Sequence, residues 1–219
     1  MRPAGLAPGP APHRPGAWCG AARAGRLYAS RTNCHNPKGI RSQCSEARGI
    51  GSVAGSPTSF RVEVLSENEW RRLRDIRLAA LNTDPAAFLS SHDTELAYLE
   101  PRWRQEFSRG EWYVMCASAQ DVGLVGATRG PDLPPHECDL EFLWVAPESR
   151  RAGGATMLLR TVLDLLRDSG MRTAWLWILN GNDPALRLYE QFGFQSTNER
   201  QPLPKQPSRY EERMRLRLS

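Results

Sequence analysis

The chain has 219 residues, of which 40% are hydrophobic and 24% charged, and its formal net charge is +5. This length fits one folded domain, or one domain with a tail. No stretch approaches the roughly 18–20 consecutive apolar residues of a membrane-spanning helix. Five cysteines in a chain of this length are too few for a disulfide scaffold. Composition therefore argues against an integral membrane protein and against a small disulfide-stapled protein.

The positive charge is concentrated at the N-terminus. Residues 1–59 carry eight Lys or Arg and one acidic residue, whereas residues 60–219 carry 21 basic and 23 acidic residues. The N-terminal segment also has seven Pro and nine Gly but only five Leu, Ile, Val or Phe residues. So little apolar surface does not offset the entropy of ordering the chain. We expect residues 1–59 to be a disordered tail, or a segment added by a start codon assigned before Val53, and residues 60–219 to be the folded domain.

Other interpretations of the tail are weaker. It lacks the charged and apolar regions of a secretory signal, and its prolines disfavour the helix of an organelle transit peptide. Four residues could suggest zinc, but they lack the paired spacing of a zinc knuckle: Cys19, Cys34, His35 and Cys44. Eight basic and two aromatic residues are a weak nucleic-acid signature. We expect a cytoplasmic protein with no nucleic-acid or membrane partner, and the excess of Arg over Lys indicates a GC-rich, bacterial genome.

The folded part opens with a strand and an amphipathic helix. Residues 60–65 alternate apolar and polar side chains, which is typical of a half-buried strand. Ser66 and Glu69 have the spacing of a capping box, so a helix should follow. Its apolar side chains recur on one stripe, formed by Trp70, Leu73, Ile76, Ala80 and Leu81.

The remaining pattern alternates strands and helices without an internal repeat. Residues 173–179 (TAWLWIL) form a continuous apolar run, which predicts a strand buried on both faces. The sequence predicts an α/β fold with a mixed sheet of about seven strands. After the first helix, the pattern predicts a helix over residues 94–107 and a hairpin of strands 112–118 and 122–129. A strand (138–146), a helix (152–169), a strand (173–179) and a helix (183–192) follow. Two strands, one from residue 194 onward and one over 210–218, end the chain.

A strand, a tight loop and a helix start carry the strongest chemical signal. Within them, Arg150-x-x-Gly153-x-Ala155 places small residues where the helix begins. The first amides of a helix lack internal partners, and glycine lets an anion approach them. The pattern therefore favours a phosphate site to which Arg150 adds a full charge, although a plain strand-to-helix turn has the same local pattern.

The loop resembles motif A of the GCN5-related N-acetyltransferase (GNAT) superfamily, whose pattern is [Arg/Gln]-x-x-Gly-x-[Gly/Ala]. Further on, Asn182-x-x-Ala185-x-x-x-Tyr189-x-x-x-Gly193-Phe194 resembles a second element of that family. The resemblance covers about residues 60–218. It departs from the family's usual loop at Gly154 and at Ala152, where the family commonly has glycine after the arginine pair. It implies a GNAT-like, mostly antiparallel sheet flanked by helices.

The resemblance also implies a ligand and its place. Acetyl-CoA, the co-substrate, would lie where residues 140–146 and 173–179 splay apart, with no metal involved. The backbone of Leu143 and Val145 would meet its pantetheine arm, and Asn182 would contact that arm or cap its own helix. The cofactor-binding residues implied in this way are Leu143, Trp144, Val145, Arg150, Arg151, Ala152, Gly153, Gly154, Ala155 and Asn182.

The implied chemistry is direct acetyl transfer to an amine. Strand alternation would put Asp139, Glu141, Leu143 and Val145 on one face. An attacking amine must lose a proton, and we expect Glu141 to be the base, with Asp139 second; either could instead be a solvated strand carboxylate. The resemblance makes Tyr189 the acid for the leaving thiolate, unless it only packs.

Other residues have supporting or ordinary roles. We expect Glu95, Trp103 and the loop at residues 130–136 to shape the acceptor side. Cys116 and Cys138 look like ordinary core cysteines without a neighbouring histidine to make them nucleophiles. The sequence therefore predicts an N-acetyltransferase acting on a primary amine of a small molecule or peptide. A non-catalytic acyl-CoA sensor is the alternative, and a homodimer stays open.

Overall fold

The structure is a computed structural model that describes residues 59–204 and 206–218. Within these residues, the strands β1 to β7 form one sheet in the order β1-β2-β3-β4-β5-β7-β6, and they span Phe60–Val64, Gly110–Ala117, Gln120–Thr128, Glu137–Val145, Thr173–Leu179, Gln195–Leu203 and Gln206–Arg217. β4 and β5 run parallel, and the other neighbours are antiparallel. The helices α1 to α5 span Trp70–Thr83, His92–Leu96, Glu100–Phe107, Gly154–Asp168 and Asp183–Gln191. The predicted mixed, mostly antiparallel sheet with flanking helices is confirmed.

The predictions for the tail are not tested by the structure. Residues 1–59 lie outside the described part of the chain except for Ser59, and so do the four candidate zinc ligands Cys19, Cys34, His35 and Cys44. Among the helices that are described, none is long and apolar enough to cross a membrane.

The predicted first helix is confirmed in its start and in its buried stripe. The Glu69 carboxylate accepts hydrogen bonds from the backbone amide and the hydroxyl of Ser66, at 2.8 and 2.7 Å. The Glu69 carboxylate thus gives an acceptor to the Ser66 amide, which precedes the helix, and ties the Ser66 side chain to the first turn. All five residues of the predicted stripe are buried: Trp70, Leu73, Ile76, Ala80 and Leu81.

The single helix predicted over residues 94–107 is wrong, because two helices occupy this region. α2 ends at Leu96, and α3 begins at Glu100 with Pro101 in its first turn. Proline lacks an amide hydrogen and clashes with the carbonyl four residues earlier, so it starts a helix more readily than it continues one. Pro101 therefore divides the predicted helix.

The predicted hairpin of β2 and β3 is confirmed. Ala117 pairs with Gln120, which leaves Ser118 and Ala119 as the two-residue turn. Both turn residues have positive φ, 46° and 66°. Two left-handed central residues are the signature of the type I′ turn, whose twist matches that of paired strands.

The prediction that β5 is buried on both faces is wrong. Ala174, Leu176 and Ile178 are buried, while the alternate residues Trp175 and Trp177 are only partly buried. The guanidinium of Arg213, on the neighbouring strand β7, lies 4.8 Å from the Trp175 ring centroid and 5.2 Å from that of Trp177. An arginine can cover aromatic rings while its charge stays near water. The apolar run therefore reflects one core face and one arginine-covered face.

Candidate active site

The parallel strands β4 and β5 separate part of the way along their length. They pair over three positions, from Glu137–Thr173 to Asp139–Trp175, yet they continue to Val145 and Leu179. The backbone edges beyond Trp175 therefore face an opening in the sheet. This is the predicted splay.

A cavity of about 430 Å³ lies at the end of β5, between the segment that follows α1 and the segment that follows β5. It is lined by Thr83, Asp84, Pro85, Ala86, Ala87, Leu179, Asn180, Gly181, Asn182 and Arg209. The cavity includes the predicted site residue Asn182 and a residue that the sequence analysis did not select, Asp84.

A β-bulge in β4 changes which side chains face the same side of the sheet. Along β3, Leu124 and Gly126 are two residues apart, but their partners on β4, Trp144 and Glu141, are three apart. β4 thus carries one extra residue here, and Phe142 within it has a φ of 61°. An extra residue shifts the alternation of a strand by one.

The predicted common face of β4 is therefore only partly correct. Paired residues lie on the same face of a sheet, so Asp139 and Glu141 share a face with Trp144. Val145, which pairs with Gly123, lies on the opposite face. Leu143 lies in the bulge and does not continue the predicted alternation.

The backbone of Val145 points toward the opening. The amide of Ala146 donates to the carbonyl of Val122 on β3, at 2.8 Å. Since the backbone groups of successive residues alternate between the two sides of an antiparallel strand, those of Val145 point away from β3. Its carbonyl accepts a hydrogen bond from Nε of Arg150 at 2.8 Å.

The loop after β4 forms a helix start that is open to an anion. Arg151 and Gly153 have positive φ, 60° and 81°, and α4 begins at Gly154. The first bond along the helix runs from Met157 to the Gly153 carbonyl, so the amides before Met157 lack acceptors within the helix. A Cβ on Gly153 would meet nothing within 4 Å. A phosphate therefore has room to reach these amides.

Gly154 has a packing role that the resemblance to motif A did not suggest. A Cβ there would come within 2.9 Å of the Met115 Cε and 3.2 Å of the Ser149 carbonyl oxygen. Glycine thus lets the first turn of α4 lie directly against β2. This accounts for the second glycine of the loop.

Asp84 joins the end of α1 to both β4 and the loop. Its carboxylate accepts a hydrogen bond from Nε1 of Trp144 at 2.7 Å and a second from the Arg150 guanidinium, with which it forms an ion pair. Burial alone would raise the pKa of Asp84, but the hydrogen bonds from Arg150 and Trp144 lower it. The charge that Arg150 could offer to a phosphate is thus already shared with a carboxylate.

The two candidate bases, Glu141 and Asp139, lie on the same face, two residues apart. Oε1 of Glu141 accepts hydrogen bonds from Arg109 at 3.2 Å and from Thr128 at 3.0 Å. Its Oε2 is buried and has no hydrogen-bond partner in the described part of the chain. Asp139 accepts from Arg213 at 3.3 Å. Burial raises the pKa of Asp139, and Glu141 raises it further against the opposing effect of Arg213.

Tyr189 lies on α5, and Asn182 immediately precedes that helix. Oδ1 of Asn182 accepts from the amide of Ala185 at 3.3 Å, so Asn182 caps the helix, which begins at Asp183. Tyr189 is half-buried, with its ring edge-on to Phe194 at 5.6 Å. Burial raises its pKa. The phenol is therefore protonated at neutral pH.

Two residues expected to shape the acceptor side do not line an open surface. Glu95 is 0% exposed and Trp103 is 2% exposed. The cysteines are also poor nucleophiles, because burial raises the pKa of Cys116 to about 11 and that of Cys138 to about 12. Among residues 59–204 and 206–218, no three His, Cys, Asp or Glu side chains are grouped so that they could hold a metal ion.

Comparison with known sequences identifies the family. The acetyltransferase (GNAT) family profile matches residues 70–194, and the chain belongs to this family. It is also similar to N-acetyltransferase 8F1 of Rattus norvegicus, with 34% identity over 95 residues. That match covers 42% of this chain and 43% of the rat protein, so it spans less than half of either.

Solved structures show the same fold. The acetyltransferase of the GNAT family from Streptococcus pneumoniae superposes with a TM-score of 0.61 at 16% identity, over 74% of this chain and all of that one (100%). The ribosomal-protein-S18-alanine N-acetyltransferase of Escherichia coli gives 0.52 at 21% identity, over 74% and 95%. yncA of Salmonella typhimurium, solved with its cofactor acetyl-CoA, gives 0.55 at 20% identity, over 73% and 94%.

Proposed function

We propose that this protein is an acetyl-CoA-dependent N-acetyltransferase that moves an acetyl group directly to a primary amine of a small molecule or peptide. The main support is that two neighbouring strands of the sheet, β4 and β5, diverge beside the open start of α4 at Gly153. The arrangement offers a slot for an extended arm and, at its end, unpartnered amides for a phosphate. A cytoplasmic location, a bacterial source and a homodimeric assembly stay predictions.

The residues present fit acetyl-CoA. The pyrophosphate would meet the amides that follow Arg150, where glycine leaves open space at Gly153. The arm would run along the free edge of β4, whose backbone at Val145 points away from β3. The proposed contacts are Leu143, Trp144, Val145, Arg150, Arg151, Ala152, Gly153, Gly154, Ala155 and Asn182.

Proton transfer is assigned to the side chains described above. An ammonium must lose a proton before its nitrogen forms a bond to the acetyl carbon, and a carboxylate accepts that proton. We assign this role to Glu141, whose Oε2 has no partner in the described residues. Asp139 is the second candidate, because a raised pKa brings a carboxylate closer to working pH. As the carbon–sulfur bond breaks, the Tyr189 hydroxyl gives its proton to the thiolate.

The deciding experiment combines CoA binding with thiol release. Calorimetry with the full chain should give one CoA per chain. Acetyl-CoA mixed with a panel of amines, including polyamines, amino acids and a peptide with a free N-terminal alanine, should release thiol only when a suitable acceptor is present. Binding without release across the panel would favour the acyl-CoA sensor, and absence of binding would contradict both functions.

A further inference from the structure

A fully buried ion pair lies between α1 and α2, outside the residues assigned to the proposed chemistry. Arg77 is 3% exposed and Glu95 is 0% exposed. Two hydrogen bonds join them, from Nε to Oε2 at 3.0 Å and from Nη2 to Oε1 at 2.8 Å. Removing two charges from water is unfavourable, so a buried pair is weak evidence for stability alone. Its location suggests another use.

The Arg77 guanidinium lies over the ring of Phe142, the residue of the β4 bulge. Its central carbon is 3.8 Å from the Phe142 ring centroid and 4.8 Å from that of Phe88. The Phe142 ring also stacks on Trp112, with centroids 5.7 Å apart and planes 19° apart. Trp112 is held close to the sheet, since a Cβ on Gly126 would come within 2.7 Å of its ring. Phe142 is thus in contact with a fixed cation and a buried indole.

Phe142 needs such contacts, because its backbone conformation is unfavourable. A φ of 61° is rare for any residue with a Cβ and is a marked outlier for a bulky one. Conformations of this kind persist when the surroundings hold them in place, and they are often found at functional sites. The bulge lies just beyond Asp139, the last residue of β4 that pairs with β5. The strained residue therefore sits where the cleft opens.

We propose that Arg77 and Glu95 are positioning residues for acetyl transfer. Glu95 fixes the orientation of the Arg77 guanidinium, which holds the Phe142 ring against Trp112 and so keeps the bulge in the shape that opens β4 from β5. Neither residue touches the reacting groups. This inference rests on the proposed function for the identity of the ligand, acetyl-CoA.

The test compares four proteins: the wild type, a variant with both members of the pair replaced, Phe142→Gly, and the variant that combines all three changes. Arg77→Leu and Glu95→Leu are made together, because either change alone leaves a buried charge unpaired. Leucine is too short to cover the Phe142 ring as arginine does. The same pair is replaced in a Phe142→Gly protein, since glycine adopts positive φ without strain and does not need the stack. CoA affinity by calorimetry, kcat, KM for acetyl-CoA and the melting temperature are measured for all four proteins.

With Phe142 present, replacing the pair should weaken CoA binding and lower kcat/KM by about 10-fold or more, because small displacements of a binding site are costly. In the Phe142→Gly protein the same replacement should change CoA affinity by less than about twofold, because glycine adopts this backbone conformation without needing the pair to hold it. An equal loss in both backgrounds would overturn the proposal, as would unchanged CoA affinity when Phe142 is present. If the double variant does not fold, Arg77→Gln combined with Glu95→Gln removes both charges and the guanidinium over Phe142 while keeping polar partners for each other, and it gives the same comparison.

Leu73→Ala is the matched control for loss of stability. Leu73 is on the same helix, one turn before Arg77, and is 1% exposed. The Leu73→Ala substitution should lower the melting temperature without changing CoA affinity. A loss of CoA affinity equal to that of the pair variant would also overturn the proposal. If the wild-type chain binds no CoA, the proposed function itself is contradicted. If the wild-type chain binds CoA but replacing the pair has no effect, only this further inference is contradicted.

Discussion

Arg150 reaches back across the turn before α4 and donates from Nε to the carbonyl oxygen of Val145, at 2.8 Å. The same guanidinium is ion-paired with Asp84, which also accepts from Trp144. The end of α1, the end of β4 and the loop before α4 are thus joined through one arginine and one aspartate. A ligand donor to the Val145 carbonyl would share it with Arg150, so we expect this contact to influence both stability and binding.

The first prediction is that the Asp84 carboxylate makes a pH-dependent contribution to stability. Its pKa is lowered in the folded chain, so the contribution is present above the unfolded value of about 3.9 and is lost as pH falls through the lower folded value. Thermal melts of Asp84→Asn should show a deficit of up to about 1 kcal/mol near neutral pH, kept small because both partners are partly exposed. The deficit should shrink as pH falls below about 4 and vanish only below the lowered folded pKa.

Asp75→Asn is the control for this pH series. Asp75 is on α1, the helix that Asp84 follows, but its side chain is 69% exposed and it is ion-paired with the adjacent Arg74. Its melting temperature should follow that of the wild type at every pH. A deficit for Asp84→Asn that stays constant down to acid pH would show that the contact acts through packing and not through charge.

The second prediction concerns the loop before α4, the proposed phosphate site, and compares the two ends of that helix. Gly153 and Gly170 have φ of 81° and 84°, and a Cβ on either would meet nothing within 4 Å. Gly153→Glu and Gly170→Glu should therefore lose similar stability, on the order of 1–2 kcal/mol, from backbone strain. Only Gly153→Glu should abolish CoA binding by calorimetry, because it adds a negative charge at the proposed phosphate position. Loss of binding in both variants would show that strain alone is responsible.

The sequence predicted what depends on local periodicity, and it missed what depends on contacts between distant segments. The capping box at Ser66, the stripe on α1 and the hairpin follow from neighbouring residues, and they are confirmed. The bulge at Phe142 has no local glycine to mark it, since its unusual backbone is held by side chains from α1 and β2. No local motif marks Asp84, because its partner Arg150 is 66 positions away along the chain.

The third prediction separates the two candidate bases. If Glu141 takes the proton from the ammonium, Glu141→Gln should lower kcat by about 10²–10⁴-fold at low pH. The loss should shrink as pH rises toward the pKa of the amine, because more of the acceptor is then already neutral. Asp139→Asn should give a smaller loss at every pH, measured by thiol release on the same acceptor. A pH-dependent loss for Asp139→Asn together with a flat profile for Glu141→Gln would assign the base to Asp139.

The last prediction concerns the acid. Tyr189 lies on α5, where its pKa is raised by burial, so the phenol keeps its proton at neutral pH and is available to a leaving thiolate. Tyr189→Phe keeps the ring against Phe194, so the melting temperature should change little. It should lower kcat by about 10–10³-fold and leave CoA affinity nearly unchanged, because the hydroxyl acts only as the carbon–sulfur bond breaks. Tyr98→Phe, a change of another partly buried tyrosine between α2 and α3, should leave kcat unaltered. If Tyr189→Phe lowers kcat by less than about twofold when chemistry limits the rate, the hydroxyl is structural and the thiolate takes its proton from water.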